Sequence, residues 1–382
     1  MSNDSSSGSS ITSSTPGIST AGVATPSVTT PGVTAEGENW ASGPERLAYH
    51  ETAAPEFGSA SSLVPGVHWT RIPLPIDLNH INVWLLHTSD GCIVVDTGMA
   101  WEGGKDAWQL LARNFLLTSP VRAVFVTHIH PDHIGLAGWL QQELRVPVWM
   151  SRRTYEQAEQ ILGGKYLANA DEAESFFRTH GLDDVTTLRP MFSPGRLARL
   201  ASGLPHVERF VEEGDALPIA DGWLAMETNG HAEGHLCLWH RERDLLISGD
   251  QVLPTISSNI GYSWRNTDRN PLHSFLTSLH RLSALPRATL VLPSHGQPFK
   301  GLQQRTEDLI QHHTQQLDVV LRACIEPQTA AQIVPLLFRR RPLFGMHLFL
   351  ALAEALAHLE YLAQLARLEK TGDSVIRYRT IA

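Results

Sequence analysis

The stretch Thr127-His128-Ile129-His130-Pro131-Asp132-His133-Ile134-Gly135 constrains this chain more than any other part of it. Three histidines and a carboxylate stand together directly after the mostly apolar run Val121-Arg122-Ala123-Val124-Phe125-Val126, which reads as a buried strand. Imidazole and carboxylate are donors for zinc, iron and manganese. His128 and His130 are two apart, so in extended backbone they project the same way and can share one ion. Pro131 fixes the chain direction. Asp132 and His133 then open a predicted helix, where they can face a second ion.

A chain with 19 histidines in 382 residues will contain chance pairs, so the later motifs matter. Gly230-His231-Ala232-Glu233-Gly234-His235, Ser248-Gly249-Asp250 and Pro293-Ser294-His295-Gly296 each follow a strand-like run: Trp223–Met226, Leu245–Ile247 and Thr289–Leu292. All four motifs are therefore expected at strand ends, where loops carry sites on a rigid scaffold.

HxHxDH, GHxxGH, GD and SHG in this order resemble the metallo-β-lactamase superfamily, over roughly Val67 to Leu302. The resemblance implies an α/β fold, an αββα sandwich of two mixed sheets with helices outside. It implies one metal held by His128, His130 and His231, and a second held by Asp132, His133 and His295, with Asp250 bridging. It implies two divalent ions, zinc first, with iron or manganese as alternatives. A metal-bound water is the implied nucleophile, and Asp132 can guide a proton to the leaving group. Asp96, in Ile93-Val94-Val95-Asp96-Thr97-Gly98, matches a motif whose aspartate supports the site without being a ligand. His235 is read as a supporting or substrate-contacting residue. The sequence departs from the family where Ala232-Glu233 replaces the usual Thr-Pro; the Glu233 carboxylate either repels anionic substrates or points to solvent, the second being the expectation.

The composition, 42% hydrophobic with a formal net charge of −9, allows a sizeable core and argues against general attraction to nucleic acid. A small-molecule substrate is what the resemblance implies. Cys92, Cys237 and Cys324 are scattered and odd in number, so no disulfide framework is expected and the setting reads as reducing and cytoplasmic. No signal peptide is evident, and the most apolar stretch, around Leu348–Leu359, is interrupted by Glu354 and His358, so no membrane span is expected.

Residues 1–45 are rich in Ser, Thr, Pro and Gly and read as a disordered tail, with order beginning near Val64. Residues 60–301 read as the catalytic domain. Ile81–Leu86 and Cys92–Val95 should pair across Ser89-Asp90-Gly91. Asp106–Leu117 and Gly135–Leu144 read as helices and Val146–Met150 as a strand. Residues 151–210 read as a helical insertion carrying Arg152, Arg153, Lys165, Tyr166 and Arg189. In the Ile260–Arg269 loop, Tyr262 and Trp264 line the pocket or belong to the core, and His80 is a candidate at the site mouth.

Residues 302–382 read as helices closed by a strand, Val375–Arg379. Leu302, Leu309, Ile310, Leu317, Val320 and Leu321 recur at helical spacing. Thr329-Ala330-Ala331-Gln332 fits a capping box, and Leu348–Leu362 stripe a longer helix that Gly372 could end. The pattern resembles the winged-helix-like C-terminal domain of lactamase-β-2-like proteins. Arg339-Arg340-Arg341 invites a DNA-binding reading, but the run is short. A packing domain that covers part of the active-site face or joins a homodimer is the expected role. His312-His313 reads as a solvated face.

Within the resembled superfamily the expected function is hydrolysis of a small ester or thioester. His130 stands where di-iron oxygen reductases carry glutamate. The alternatives are a mononuclear iron persulfide dioxygenase and an RNA nuclease of the same fold.

Overall fold

The structure is a computed structural model describing residues 47–162, 170–186, 188, 198–339 and 343–381. The proposed tail, Lys165, Tyr166, Arg189, Arg340 and Arg341 lie outside the described residues. The chain begins with β1 (Ala48–Tyr49), β2 (Ala60–Val64), β3 (Val67–Pro73), β4 (His80–His87) and β5 (Cys92–Val95). Helix α1 (Glu102–Leu111) leads to β6 (Val121–Phe125), α2 (Pro131–Ile134), α3 (Ala137–Leu144) and β7 (Val148–Met150). Next come α4 (Arg152–Ile161), α5 (Ala170–Thr179), β8 (Val207–Phe210), β9 (Trp223–Thr228), β10 (His235–His240) and β11 (Leu245–Gly249). The remainder is α6 (Pro271–Ser283), β12 (Leu290–Pro293), β13 (Phe299–Lys300), α7 (Leu302–Ala323), α8 (Ala330–Leu337), α9 (Gly345–Gln364), β14 (Leu368–Thr371) and β15 (Arg377–Thr380).

Two mixed sheets form, in the orders β2-β3-β4-β5-β6-β7-β8 and β1-β13-β12-β11-β10-β9. Pairing is parallel for β5-β6, β6-β7, β7-β8 and β11-β12, and antiparallel elsewhere. The central strands are apolar on both faces because both are covered. From β5 and β6, Ile93, Val95, Ala123 and Phe125 face the other sheet, meeting Leu236, Leu238, Ile247 and Leu292. The alternate residues Val94, Val124 and Val126 face the outer layer, with Trp108 and Leu111 of α1 and Leu140 of α3. On the far side, Phe275 and Leu279 of α6 and Leu302 and Leu309 of α7 cover Cys237, Leu246 and Val291. This is the expected αββα sandwich, and it brings the ends of β6, β9, β11 and β12 to one edge.

A third core joins α7, α8, α9 and the β14-β15 hairpin. The capping box forms as expected, with Thr329 and Gln332 each bonding the other's backbone. Ala173 and Phe177 of the inserted α5 pack into this same core. One described helix, α9, is long and apolar enough to cross a membrane, and 56% of its apolar window is buried inside the molecule.

Several local expectations are corrected. Order begins before Val64, because β1 pairs with β13 and β2 with β3. Helix α1 starts at Glu102 rather than Asp106: the Trp101 ring lies over Gly103, where a Cβ would stand 2.5 Å from it, so the glycines are packing positions. The insertion ends in a strand, β8, at the sheet edge. Helix α9 ends at Gln364, and Gly372, with φ 91°, lies between β14 and β15. Strand β14, Leu-Glu-Lys-Thr, shows little apolar pattern because only Leu368 is buried. His313 is fully buried, not on a solvated face, and Arg339 is exposed.

Asn82 fastens the two sheets together. Its Nδ2 donates to the carbonyls of Pro293 (2.8 Å) and Gly296 (2.7 Å), either side of His295, and its Oδ1 accepts from Trp69 Nε1 at 2.9 Å. Asn82→Ala leaves a buried indole N–H without this partner, so stability should fall by about 1–3 kcal/mol. Urea unfolding should show a lower midpoint at unchanged slope; an unchanged midpoint would contradict this role.

Candidate metal centre

After β6 the chain stays extended through His130 (φ −61°, ψ 146°), and Pro131 then starts α2. His128 and His130 therefore lie on one side, and His231 reaches them from the loop after β9. His128 Nε2 is 3.0 Å from His130 Nδ1 and 3.3 Å from His231 Nε2. Two nitrogens each about 2.0–2.1 Å from one tetrahedral ion stand roughly 3.3 Å apart. Three imidazole nitrogens converging at that spacing suit a cation held between them.

The second group is Asp132, His133, Asp250 and His295, all buried. His133 Nε2 lies 3.4 Å from Asp250 Oδ1 and 3.6 Å from Asp132 Oδ2. His295 Nε2 lies 3.3 Å from Asp132 Oδ2 and 3.5 Å from Asp250 Oδ1. The other oxygen of Asp250, Oδ2, is 3.6 Å from His231 Nε2 in the first group. One carboxylate thus faces both clusters. His133 Nε2, His295 Nε2 and Asp250 Oδ1 are buried without a hydrogen-bond partner. Such atoms are costly unless something satisfies them, and a divalent cation fits this donor set.

An outer layer aims the rings. Asp96, whose φ is 65°, accepts Thr127 N–H on Oδ1 (2.8 Å) and His133 Nδ1 on Oδ2 (2.8 Å). Thr127 Oγ1 also donates to this carboxylate and stands 3.0 Å from His128 Nδ1, so one threonine serves both clusters. His295 Nδ1 meets the backbone carbonyl of His80 at 2.8 Å, and His231 Nδ1 meets that of Asn259 at 2.9 Å. Fixing the far nitrogen leaves Nε2 presented to the centre. His235 is fully buried: its Nδ1 meets Thr228 Oγ1 at 2.8 Å, and its Nε2 accepts Asp250 N–H at 3.2 Å. It supports the Asp250 backbone and is closed off from solvent. Gly249 is required beside it, since its φ is 52° and a Cβ there would stand 2.3 Å from His235 Nε2.

Burial, then neighbouring imidazoles, holds His128 well below its ordinary value and His130 down to about 3, leaving neutral rings with free lone pairs. His133 goes the other way. Burial opposes its charge, but the carboxylates of Asp250, Asp96 and Asp132 raise it well above the usual range. Asp250 is likewise held well below its ordinary value by His133 and His295 against the effect of burial.

Beside the first cluster lies a cavity of about 260 Å³, with Ile129, Pro131, Ile134, Ile161 and Leu162 on its walls and Phe349 contributed by α9. Glu233 lines it but does not point freely to solvent as expected. It takes hydrogen bonds from Arg153 Nη2 (2.6 Å), Thr267 N (2.8 Å) and Asp268 N (3.2 Å). Although burial works against it, the Thr267 and Asp268 bonds and the Arg153 charge keep its carboxyl below the ordinary range. Tyr262 and Trp264 pack against the C-terminal core, while Ser263, Arg265 and Asn266 of the same loop line the cavity. Sequence reading missed Thr127, Asn82, Thr228 and Asn259. Thr127 adjoins the motif and could have been weighed; Asn259 acts through its carbonyl, which no side-chain pattern reports.

The Metallo-beta-lactamase superfamily domain matches residues 76–295, and the Metallo-beta-lactamase-like, C-terminal domain matches residues 317–381. A Bacillus subtilis protein named "Probable metallo-hydrolase YqjP" is 28% identical over 76% of this chain and 90% of its own length. The Gallus gallus "Acyl-coenzyme A thioesterase MBLAC2" is 31% identical over 52% of this chain and 68% of its own. The crystal structure of a β-lactamase domain protein from Burkholderia ambifaria superposes with TM-score 0.80 at 38% identity, covering 88% of this chain and 98% of that one. On the matched domains and the conjunction of both clusters, the chain belongs to the metallo-β-lactamase superfamily and is a metal-dependent hydrolase.

Proposed function

We propose that the protein hydrolyses a small acyl thioester, or the corresponding ester, at a centre of two divalent ions, zinc first. The observation that carries this reading is Asp250, whose two oxygens each face one of two complete donor clusters beside a largely apolar cavity. His128, His130 and His231 would hold one ion; Asp132, His133 and His295 would hold the other. Ions bound there would supply Lewis acidity and lower the pKa of a coordinated water towards neutrality. The apolar walls would seat the acyl group next to His130. Asp132 is slightly the more open of the two carboxylates in the second cluster, 13% exposed against 10% for Asp250, and it does not face the first cluster, which suits it to pass a proton towards the leaving group. The thioester preference draws on the chicken relative named as an acyl-coenzyme A thioesterase. The second cluster weighs against a single-iron dioxygenase, and a cavity of about 260 Å³ suits a small molecule better than RNA.

Elemental analysis of protein purified without added metal should find about two zinc per chain; one iron per chain would overturn the reading. Stripping the metal should lower Tm. Restoring zinc to about 100 times its Kd should add about 2.7 kcal/mol for each site filled, because the folded clusters bind it more tightly than the unfolded chain does. A second prediction concerns Asp96. Asp96→Ala should weaken metal binding about 10–100-fold, with hydrolysis recovering in excess zinc; unaltered affinity would remove Asp96 from the support of His133. A third concerns the cavity. Phe349→Ala should shift preference towards longer acyl chains, each added methylene contributing about 0.8 kcal/mol in kcat/KM. An unchanged chain-length profile would place the acyl group elsewhere.

A further inference from the structure

We propose that Glu354, in the C-terminal helix α9, is a positioning residue for the metal centre, acting through Asn259 on His231. The inference rests on His231 being a metal ligand.

The loop from Asp250 to Tyr262 connects β11 towards α6 and touches the centre twice, through Asp250 and through the Asn259 carbonyl that meets His231 Nδ1 at 2.9 Å. Ser258 Oγ donates to the Asp250 carbonyl, tying the two contacts together. The C-terminal helices hold this loop from outside. Arg305 of α7 donates to the carbonyls of Leu253 (2.6 Å) and Ile256 (2.7 Å). In α9 the Ala353 carbonyl accepts Tyr262 N–H at 3.0 Å. Asn259 Nδ2 donates to Glu354 Oε2 at 2.9 Å and approaches the Leu350 carbonyl at 3.4 Å.

The carbonyl that sets the tautomer and tilt of His231 thus belongs to a residue whose side chain is anchored on Glu354. Without that anchor the Asn259 peptide loses its one close side-chain bond to α9, and the His231 lone pair is held less firmly towards His128. The surrounding imidazoles stiffen the same stretch: His358 Nδ1 donates to the Glu354 carbonyl at 2.8 Å, and His313 Nδ1 meets His358 Nε2 at 3.2 Å. Burial pushes the Glu354 carboxyl up to about 7, so glutamine, which keeps the acceptor oxygen, is the conservative replacement.

The test is zinc titration of the full chain against a chromophoric chelator, resolving both sites, with Tm recorded for every variant. Glu354→Ala and Asn259→Ala should each weaken one site about 10–100-fold and leave the other unchanged, the size expected for loss of a ligand's outer partner. Glu354→Gln should retain wild-type affinity. Leu352→Ala, which opens the C-terminal core without touching Asn259, should lower Tm and leave both affinities unchanged. In cobalt-substituted protein, Glu354→Ala should alter the visible bands and Glu354→Gln should preserve them. The proposal is overturned if Glu354→Ala and Asn259→Ala bind zinc like wild type while His231→Ala loses a site. If His231→Ala keeps both sites, the ligand reading fails and this inference falls with it. Should Glu354→Ala not fold, Asn259→Ala decides the matter.

Discussion

Asp250 is the point on which the rest of the site depends. Its carboxylate is largely buried, with one oxygen towards His133 and His295 and the other towards His231. An ionised carboxylate in such a place needs compensation by positive charge. The His133 and His295 rings beside it supply part of that charge, and the donor set as a whole suits a divalent cation, since the imidazoles of the first cluster are kept neutral by burial. The elements around it serve to hold this carboxylate and the opposing nitrogens at ligand spacing.

The sandwich does this by convergence. Strands β6, β9, β11 and β12 end at one edge, and each delivers a donor group of the two clusters in the next few residues. Rigidity comes from the apolar layer between the sheets; direction comes from the hydrogen bonds on the far side of each ring. Asp96, the His80 carbonyl and the Asn259 carbonyl each fix one imidazole. Three different segments are recruited, so the geometry of the centre reports on the packing of the whole domain.

The C-terminal region is part of this arrangement. Helix α9 contributes Phe349 to the cavity wall and holds the loop behind His231, and α5, inserted between the strands β7 and β8, shares its core. The region expected to cover part of the active-site face or to join a homodimer therefore meets the site on two sides. His312-His313 illustrates how such continuity hides in sequence. Adjacent polar residues on a helix suggest a wet face, but α6 and α9 cover His313, placing its ring 5.5 Å from Phe275 and 5.3 Å from His358.

The sequence by itself determined the central strands, because residues covered on both faces must be apolar in unbroken runs, and it determined the donor groups, because His-x-His-x-Asp-His leaves few other uses for that chemistry; the edge strands, covered on one face or neither, carried no such run. The capping box at Thr329 was legible for a similar reason: it is made wholly of residues three apart. Only tertiary structure decided how those donors are aimed. The partners of His231 and His295 are backbone carbonyls 28 and 215 positions away, and carbonyls carry no residue signature. The state of Glu233 was hidden likewise, because Arg153, which pairs with its charge, and Thr267, which donates to it, come from α4 and the loop before α6. Local pattern records what a residue can donate; which group stands opposite is settled by the packing of segments far apart in the chain.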